Sequence, residues 1–258
     1  MASSFPQFST SFTLAADASE FMCAQDMVPD PWQKSVLRST ANRLFLLCSR
    51  QAGKSQTTSV LAAHTALYNP DQLLLLLSPS QRQSTELFRK IKQILRGVET
   101  SSLETETALT CELNNGSRIV SLPGNASTVR TYTPTVICID EASRTDDRLY
   151  RACRPMLATQ PRGRMILLST PAAKAGYFYE IHKDESGSWE KYRVPADECP
   201  RISKEFLDEE RRSLPDFVFR REYMCQFSEQ EEAYFMNDDI QNCFTDDAAF
   251  ELKGVDDD

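Results

Sequence analysis

Short apolar runs alternate along the chain with longer segments of helical period. The runs typical of buried strands are Arg43 to Ser49, Leu73 to Ser78, Thr135 to Ile139 and Arg164 to Leu168. The segments predicted to be helices are Ser55 to Tyr68, Gln81 to Arg96 and Asp146 to Leu157. Because parallel strands need a crossover between them, this alternation predicts an α/β fold with a mainly parallel central sheet and helices on both faces.

One segment departs from the alternation. Asn114-Asn115-Gly116 separates two strand-like runs, Thr107 to Leu113 and Ser117 to Leu122, and Asn-Gly is a strong signal for a tight hairpin. We therefore expect an antiparallel hairpin inserted in the parallel pattern. Trp189 to Val194 is a further candidate strand.

The same pattern divides the chain into three parts. Residues 1–195 contain an N-terminal arm followed by the alternating core. Residues 196–226 contain two short helical segments, Ser203 to Arg212 and Phe217 to Met224, and are predicted to form a small helical subdomain. Residues 227–258 are acidic and weakly patterned, as expected of a linker.

Charge is distributed unevenly along the chain. The net charge is −8, but residues 1–179 carry 19 Lys and Arg against 14 Asp and Glu, whereas residues 180–258 carry 10 against 23. A polyanionic partner would therefore contact the first part. No apolar run is long enough to cross a membrane, so no membrane partner is expected. Eight scattered cysteines without a Cys-x-x-Cys pair, and only two histidines, argue against a zinc site and favour reduced thiols.

The clearest chemical motif lies between the first strand and the helix that follows it. Its residues are Ser49, Arg50, Gln51, Ala52, Gly53, Lys54, Ser55 and Gln56. A Gly-Lys-Ser turn in this position is typical of a phosphate-binding loop, in which backbone N–H groups hold the β-phosphate of ATP. Lys54 would neutralise the β- and γ-phosphates, and the Ser55 hydroxyl would bind Mg²⁺.

Two adjacent acids, Asp140 and Glu141, follow the apolar run Val136 to Ile139. Ligands of parallel α/β sheets bind at the carboxyl ends of the strands, where these acids would lie beside the phosphate loop. Asp140 would hold Mg²⁺ through its water shell, and Glu141 would polarise the water that attacks the γ-phosphate. Together with Lys54, they predict an Mg²⁺-dependent ATPase.

Three weaker features agree with this interpretation. Trp32 and Gln33 precede the loop, where a glutamine could read the adenine edge, and Ser169 and Thr170 follow a strand, where they could sense the γ-phosphate and couple it to motion. Arg130 lies before the strand that carries the acids, and an arginine can stabilise the charge of a phosphoryl-transfer transition state. Each also has a plain structural interpretation, namely a helix start, a turn and a surface residue.

Taken together, the motifs resemble the ATPase domain of the large terminase subunit of tailed bacteriophages. The matching segments are Ser49 to Ser55, Leu122 to Asn125, Thr128 to Arg130, Asp140 to Ser143, Ser169 to Pro171 and Arg221 to Tyr223. The resemblance covers roughly residues 25–240. Thr131 departs from the family, which often has glycine there.

The resemblance implies a P-loop NTPase fold of the additional-strand, conserved-glutamate (ASCE) type, with residues 196–226 as a helical lid. It implies ATP hydrolysis with Mg²⁺ that drives double-stranded viral DNA into a procapsid, in the cytoplasm of the bacterial host. The partners it implies are further copies of the chain in a ring, the capsid portal, the small terminase subunit and double-stranded DNA. Arg130 would act as an arginine finger in trans on the neighbouring subunit, and a cis role for Arg50 is the open alternative.

In this family a nuclease domain follows the ATPase. Only Gly254 to Asp256 could begin such a domain here, so residues 227–258 are interpreted as a linker toward an absent or truncated nuclease, and no nuclease activity is expected from this chain. Candidate DNA contacts within the basic part are Arg82, Arg89, Lys90, Lys92 and Arg96, although a solvated helix face would have the same pattern.

Two other functions remain open from the sequence. A superfamily 2 helicase or translocase shares the glutamine, the phosphate loop and the Asp-Glu pair, but the 87 residues after Pro171 are too few for a second RecA-like domain. A nucleotide-dependent assembly switch would bind ATP without productive turnover. Glu141 disfavours the switch, because such a protein needs no carboxylate to activate water.

Overall fold

The computed structural model describes residues 12–98 and 103–229, and its central feature is an eight-stranded sheet. The strands are β1 (Arg43–Cys48), β2 (Leu73–Ser78), β3 (Leu103–Glu106), β4 (Thr110–Leu113), β5 (Arg118–Pro123), β6 (Val136–Asp140), β7 (Arg164–Ser169) and β8 (Glu190–Val194). Their order across the sheet is β3-β4-β5-β2-β6-β7-β1-β8. The strands from β5 to β8 in this order are parallel, and β4 and β3 extend the β5 edge by antiparallel pairing.

The helices that surround the sheet are α1 (Ala18–Cys23), α2 (Pro31–Arg38), α3 (Lys54–Tyr68), α4 (Gln81–Arg96), α5 (Ala126–Val129), α6 (Asp147–Cys153), α7 (Gly176–Lys183), α8 (Lys204–Ser213) and α9 (Asp216–Tyr223). Short 3₁₀ turns occupy Ala142–Arg144, Arg154–Leu157 and Ala196–Glu198. The mainly parallel sheet predicted from the sequence is confirmed. Within the described ranges, no helix has both the length and the apolar character that a membrane crossing requires.

Both faces of the sheet are covered, which explains why the central strands are apolar without interruption. On β1, Leu44 and Leu46 pack with α1 to α4 on one face, whereas Phe45 and Leu47 pack with α5 to α7 on the other. Side chains alternate between the faces of a strand, so a strand buried on both sides needs an apolar residue at each position. The prediction of helices on both faces is therefore confirmed.

The expected hairpin is present between β4 and β5. The Leu113 N–H donates to the Ser117 carbonyl at 2.8 Å, and Gly116 has the left-handed conformation, φ 81°, that the turn requires. β4 is shorter than predicted because Thr107 forms a turn with Thr110, whose N–H donates to the Thr107 hydroxyl at 3.0 Å. This turn separates β4 from β3, a strand that the sequence pattern did not indicate.

The last part of the described chain contains the helix pair α8 and α9. The two helices and the preceding 3₁₀ turn share a small apolar cluster formed by Ala196, Leu207, Phe219 and Tyr223. This agrees with two short helices in residues 196–226, and their treatment as a separate lid remains a prediction. Cys225 returns to the second face of the sheet, and the segment 230–258, which holds most of the predicted linker, lies outside the described residues.

Candidate functional site

The phosphate-type loop lies where predicted, between the end of β1 and the start of α3. Two of its residues have left-handed backbone conformations: Gln51 with φ 60° and Gly53 with φ 96°. For the non-glycine residue this conformation costs about 1 kcal/mol and persists only where the surroundings enforce it. α3 begins at Lys54, so the N–H groups of its first turn lack acceptors within the helix and are suited to an anion.

The first half of this loop is hydrogen-bonded to β8 and α9, which come much later in the chain. The Ser49 N–H donates to the Val194 carbonyl at 2.9 Å, and the Arg50 N–H donates to the Glu222 carbonyl at 2.8 Å. The Arg50 guanidinium also forms an ion pair with the Glu222 carboxylate at 3.0 Å. Glu222 is nearly buried on α9, and the sequence motifs did not assign it to the site.

Lys54 and Glu141 meet at the carboxyl edge of the sheet. Lys54 begins α3 and Glu141 follows β6, and the Lys54 Nζ lies 3.1 Å from Glu141 Oε1. Glu141 has a left-handed backbone, φ 49°, which turns the chain sharply out of the strand. Its second oxygen accepts a hydrogen bond from Ser169 Oγ at 3.3 Å. Three of the predicted site residues are thereby brought into contact.

Ser169 and Thr170 belong to the same network. Ser143 Oγ lies 2.8 Å from Ser169 Oγ and donates to the Thr170 carbonyl at 2.9 Å. Both predicted coupling residues are buried at the end of β7. Hydroxyl groups thus connect Glu141 to the end of β7, and the coupling role of Ser169 and Thr170 remains a prediction.

Asp140 is the buried member of the acidic pair. Burial, reinforced by the neighbouring Glu141 charge and opposed by Lys54, raises the pKa of Asp140 from its usual 3.8 to about 6. One carboxylate oxygen accepts the Glu141 N–H at 3.0 Å, and the other has no hydrogen-bond donor among the described residues. An oxygen ligand of this kind suits Mg²⁺, which takes few protein ligands and keeps several waters.

Ser55 and Gln56 occupy the first turn of α3. Metal binding by the Ser55 hydroxyl and Asp140 remains a prediction. No cluster of three or more Asp, Glu, His or Cys residues that could hold a metal ion occurs in the described part of the chain. Gln56 Nε2 points to Met27 Sδ at 2.8 Å, so its side chain is engaged with the segment before α2.

Gln33 is fully buried below the loop. Its Oε1 accepts the Asp30 N–H at 2.8 Å, and its Nε2 donates to Thr57 Oγ1 on α3 at 2.9 Å. Both ends of the amide are therefore used within the protein, and adenine recognition by Gln33 remains a prediction. The neighbouring Trp32 packs against the core, and its indole N–H has no acceptor within the described residues.

Arg201, which the sequence motifs did not indicate, also reaches the loop. It forms an ion pair with Asp30 at 2.8 Å, and its Nη2 donates to the Ala52 carbonyl at 2.7 Å. Only contacts across the fold reveal this residue, because its position in the sequence has no fixed spacing from the phosphate loop.

Arg130 is not brought into contact with Lys54 or Glu141. It follows α5, is exposed, and has no carboxylate partner in the part of the chain that the structure describes. Together with Tyr132, Arg151 and Met156 it lines a shallow cleft. Among the described residues, Arg130 is therefore free to contact another molecule.

Comparison with known sequences agrees with the geometry. The family model described as terminase large subunit, T4likevirus-type, N-terminal, matches residues 45–242. The large terminase subunit of Escherichia phage T5 is 27% identical over 246 residues, which are 86% of this chain and 55% of that protein. The chain thus spans about half the length of this relative.

Solved structures share the fold. The large terminase ATPase domain of Thermus phage P74-26 superposes with a TM-score of 0.67 at 20% identity, over 81% of this chain and 98% of that one. The large terminase of bacteriophage HK97 gives 0.66 at 14% identity, over 78% and 51% of the two chains. A large terminase from a thermophilic bacteriophage, solved with ADP, gives 0.62 at 13% identity, over 76% and 51%. The architecture is therefore a P-loop fold of the kind found in these domains.

Proposed function

From the premise that this chain belongs to the phage terminase large subunit family, we propose that it binds and hydrolyses ATP with Mg²⁺ to drive double-stranded viral DNA into a procapsid. The known relative that was solved with ADP supports nucleotide binding for this fold. The chain would act in the cytoplasm of the bacterial host, where phage heads are filled.

The observation that carries the ATPase proposal is the meeting of Lys54, Glu141 and Ser169. A cation at a phosphate loop, a carboxylate 3.1 Å from it, and a hydroxyl on that carboxylate are the groups that phosphoryl transfer to water requires. Lys54 begins the helix after β1, and Glu141 and Ser169 lie at the ends of β6 and β7; these three strands are neighbours in the sheet. Their common position supports one catalytic site rather than separate structural roles.

The residues divide the work as follows. Lys54 would exchange Glu141 for the β- and γ-phosphate oxygens, and the N–H groups of the first turn of α3 would hold the β-phosphate. Ser55 and Asp140 would hold Mg²⁺, which neutralises phosphate charge when bound. Glu141, released from Lys54, would orient and polarise the attacking water, and Ser169 would keep its carboxylate in place.

The motor function rests on partners. We propose a ring of copies of this chain on the capsid portal, supplied with double-stranded DNA by the small terminase subunit.

Fewer cations on α4 are free to contact DNA than the sequence suggests. Arg89 pairs with Glu86, and Lys92 and Arg96 both pair with Glu106. Arg82 and Lys90 have no ion-pair partner among the described residues, so they are the better candidates for phosphate contacts.

Phosphate release from ATP tests the proposal directly. The purified chain should release phosphate in the presence of Mg²⁺; EDTA should abolish the release, and Glu141→Gln should slow it by about 10²–10⁴. Binding of nucleotide without turnover by the wild-type chain would favour the assembly switch. No structural observation favours a helicase, and the family to which the chain belongs is that of the terminases.

A further inference from the structure

Arg201 lies between the 3₁₀ turn Ala196–Glu198 and the start of α8, close to the phosphate loop. We propose that Arg201 is a positioning residue that braces this loop from its outer side. The inference rests on the proposed ATPase function. The segment before α8 would thereby contribute to the affinity for nucleotide.

The contacts of Arg201 are specific. Nε and Nη2 both donate to Asp30 Oδ2, at 3.2 and 2.8 Å, and Nη2 also donates to the Ala52 carbonyl at 2.7 Å. The Asp30 side chain is only 8% exposed, and Arg201 is its one ion-pair partner among the described residues. A charge-assisted pair of this kind is stronger and more directional than a neutral hydrogen bond.

The guanidinium lies on the outside of the loop. A phosphate-binding loop turns its N–H groups inward, toward the anion, and its carbonyls outward. Arg201 contacts a carbonyl, and a Cβ built on Gly53 would come within 2.7 Å of Arg201 Nη2 and 3.0 Å of Gln33 Nε2. Arg201 and Gln33 therefore fill the space beside Gly53 that the side chain of any other residue would occupy.

Asp30 connects Arg201 to the base of α3. The Asp30 N–H donates to Gln33 Oε1, Gln33 Nε2 donates to Thr57 Oγ1, and Thr57 Oγ1 donates to the Gly53 carbonyl at 3.1 Å. Two successive loop carbonyls, those of Ala52 and Gly53, are thus fixed by one connected set of groups. Removing Arg201 frees the first of them and leaves Asp30 buried without its cation.

Removing Arg201 should weaken the binding of nucleotide more than it slows hydrolysis. Arg201 would orient the loop N–H groups that bind the β-phosphate, a group that ADP and ATP share. Arg201 contacts neither Glu141 nor Ser169. We expect Arg201→Ala to raise the KM for ATP and the Kd for ADP about tenfold, with kcat reduced less than threefold.

The experiment compares Arg201→Ala, Asp30→Asn and the double variant with the wild type, by steady-state ATPase kinetics and ADP titration. Asp30→Asn should raise the same two constants, and the double variant should be no worse than Arg201→Ala, because both changes break one connection. Arg212→Ala is the matched control, since this exposed arginine on α8 makes, within the described residues, only a local contact to the Asp208 carbonyl. It should keep wild-type constants.

Arg201→Lys separates positioning from charge. Lysine keeps the positive charge but lacks the forked guanidinium that contacts both Asp30 and Ala52. We therefore expect Arg201→Lys to bind nucleotide almost as weakly as Arg201→Ala. Wild-type KM and Kd in Arg201→Lys, or in Arg201→Ala, would overturn the proposal. A wild-type chain without ATP turnover would instead contradict the ATPase function, while the ADP titration would still test the brace.

Discussion

The Lys54 ammonium group is paired with the Glu141 carboxylate at 3.1 Å, and both side chains are largely removed from water, with exposures of 13% and 18%. The proposed phosphate-binding cation and the proposed base thus neutralise each other at the carboxyl edge of the sheet, where β7 lies between β1 and β6. A phosphate that enters the loop would compete with Glu141 for Lys54. Lys54→Ala and Glu141→Gln should therefore change the affinity for nucleotide in opposite directions.

Lys54→Ala should lower nucleotide affinity about 100-fold, because the loop loses the cation that contacts Glu141 and would neutralise the phosphates. The fold should persist, since Glu141 stays partly exposed and keeps Ser169 as a donor. Fluorescence titration and circular dichroism measure the two properties. Lys34→Ala, at an exposed position on α2, is the control. Undiminished nucleotide affinity in Lys54→Ala would show that the loop does not bind nucleotide.

Glu141→Gln should bind ATP as well as the wild type or more tightly, because Lys54 no longer has to leave a carboxylate. Its turnover should fall by about 10²–10⁴, since glutamine cannot accept a proton from water. Single-turnover kinetics with bound ATP separate the two effects. A variant that turns over at the wild-type rate would mean that another group activates the water.

Asp140→Asn should stabilise the protein at alkaline pH in EDTA and without nucleotide. Burial and the Glu141 charge raise the pKa of Asp140 to about 6, above its usual 3.8, so the folded state holds this proton more tightly than the unfolded state. The Asp140 contribution to the free energy of unfolding is therefore lost as pH rises from about 4 to 6. At pH 8 the variant should gain up to about 3 kcal/mol, whereas below pH 4 it should gain little.

Urea unfolding at pH 4 and pH 8 measures this difference. Asp208→Asn, which removes a carboxylate at an exposed position on α8, is the matched control. An equal effect of Asp140→Asn at both pH values would mean that Asp140 does not titrate in this range.

Arg130→Ala should abolish hydrolysis without weakening nucleotide binding, if Arg130 completes the site of a neighbouring subunit. An inserted guanidinium is worth roughly 10³–10⁵ in rate, and here Arg130 is exposed and free of carboxylates within the described residues. Activity per chain should rise with protein concentration, and mixing Arg130→Ala with Glu141→Gln should restore part of it. Arg162→Ala, at another exposed position, should behave as the wild type.

A mixture that stays inactive while both variants still associate would argue against action in trans. The rival is Arg50, which the structure pairs with Glu222 at 3.0 Å. Loss of hydrolysis in Arg50→Ala, together with flat specific activity on dilution, would favour the cis alternative.

Arg82→Ala and Lys90→Ala should each weaken binding of double-stranded DNA and reduce the slope of log K against log salt by about one. Arg89→Ala should have a smaller effect, because its guanidinium is already paired with Glu86 at 2.7 Å. Filter binding across a salt series compares the three. Equal slopes in all variants and the wild type would show that α4 does not contact DNA.

The sequence predicted the central strands well because both faces of the sheet are buried, and apolar runs such as Leu73–Ser78 then have one plausible interpretation. It also placed Lys54, Glu141 and Ser169 at one edge, since the ends of parallel strands share an edge. Two short helices were missed: α5 because four residues give too little periodicity to recognise, and α7 because its N-cap, Ala175, is not a capping residue.

The contacts of Arg50 with Glu222 and of Arg201 with Asp30 could not be predicted from spacing. Each joins residues that are far apart in sequence, and neither partner stands at a fixed distance from a motif. An acid such as Asp30 before a helix also has a sufficient local explanation as an N-cap, and its capping box with Gln33 is present. Only the tertiary contacts reveal its second partner.

The anchoring of Ser49 to Val194, and of Arg50 to Glu222, also constrains the order of folding. β1 and α3 can form early, but the loop between them acquires its final shape only after β8 has paired with β1 and α9 has docked. Such long-range contacts form late, because the intervening chain must first be ordered. Competence to bind nucleotide would therefore report that the chain has folded through Glu222, and partly synthesised chains would not consume ATP.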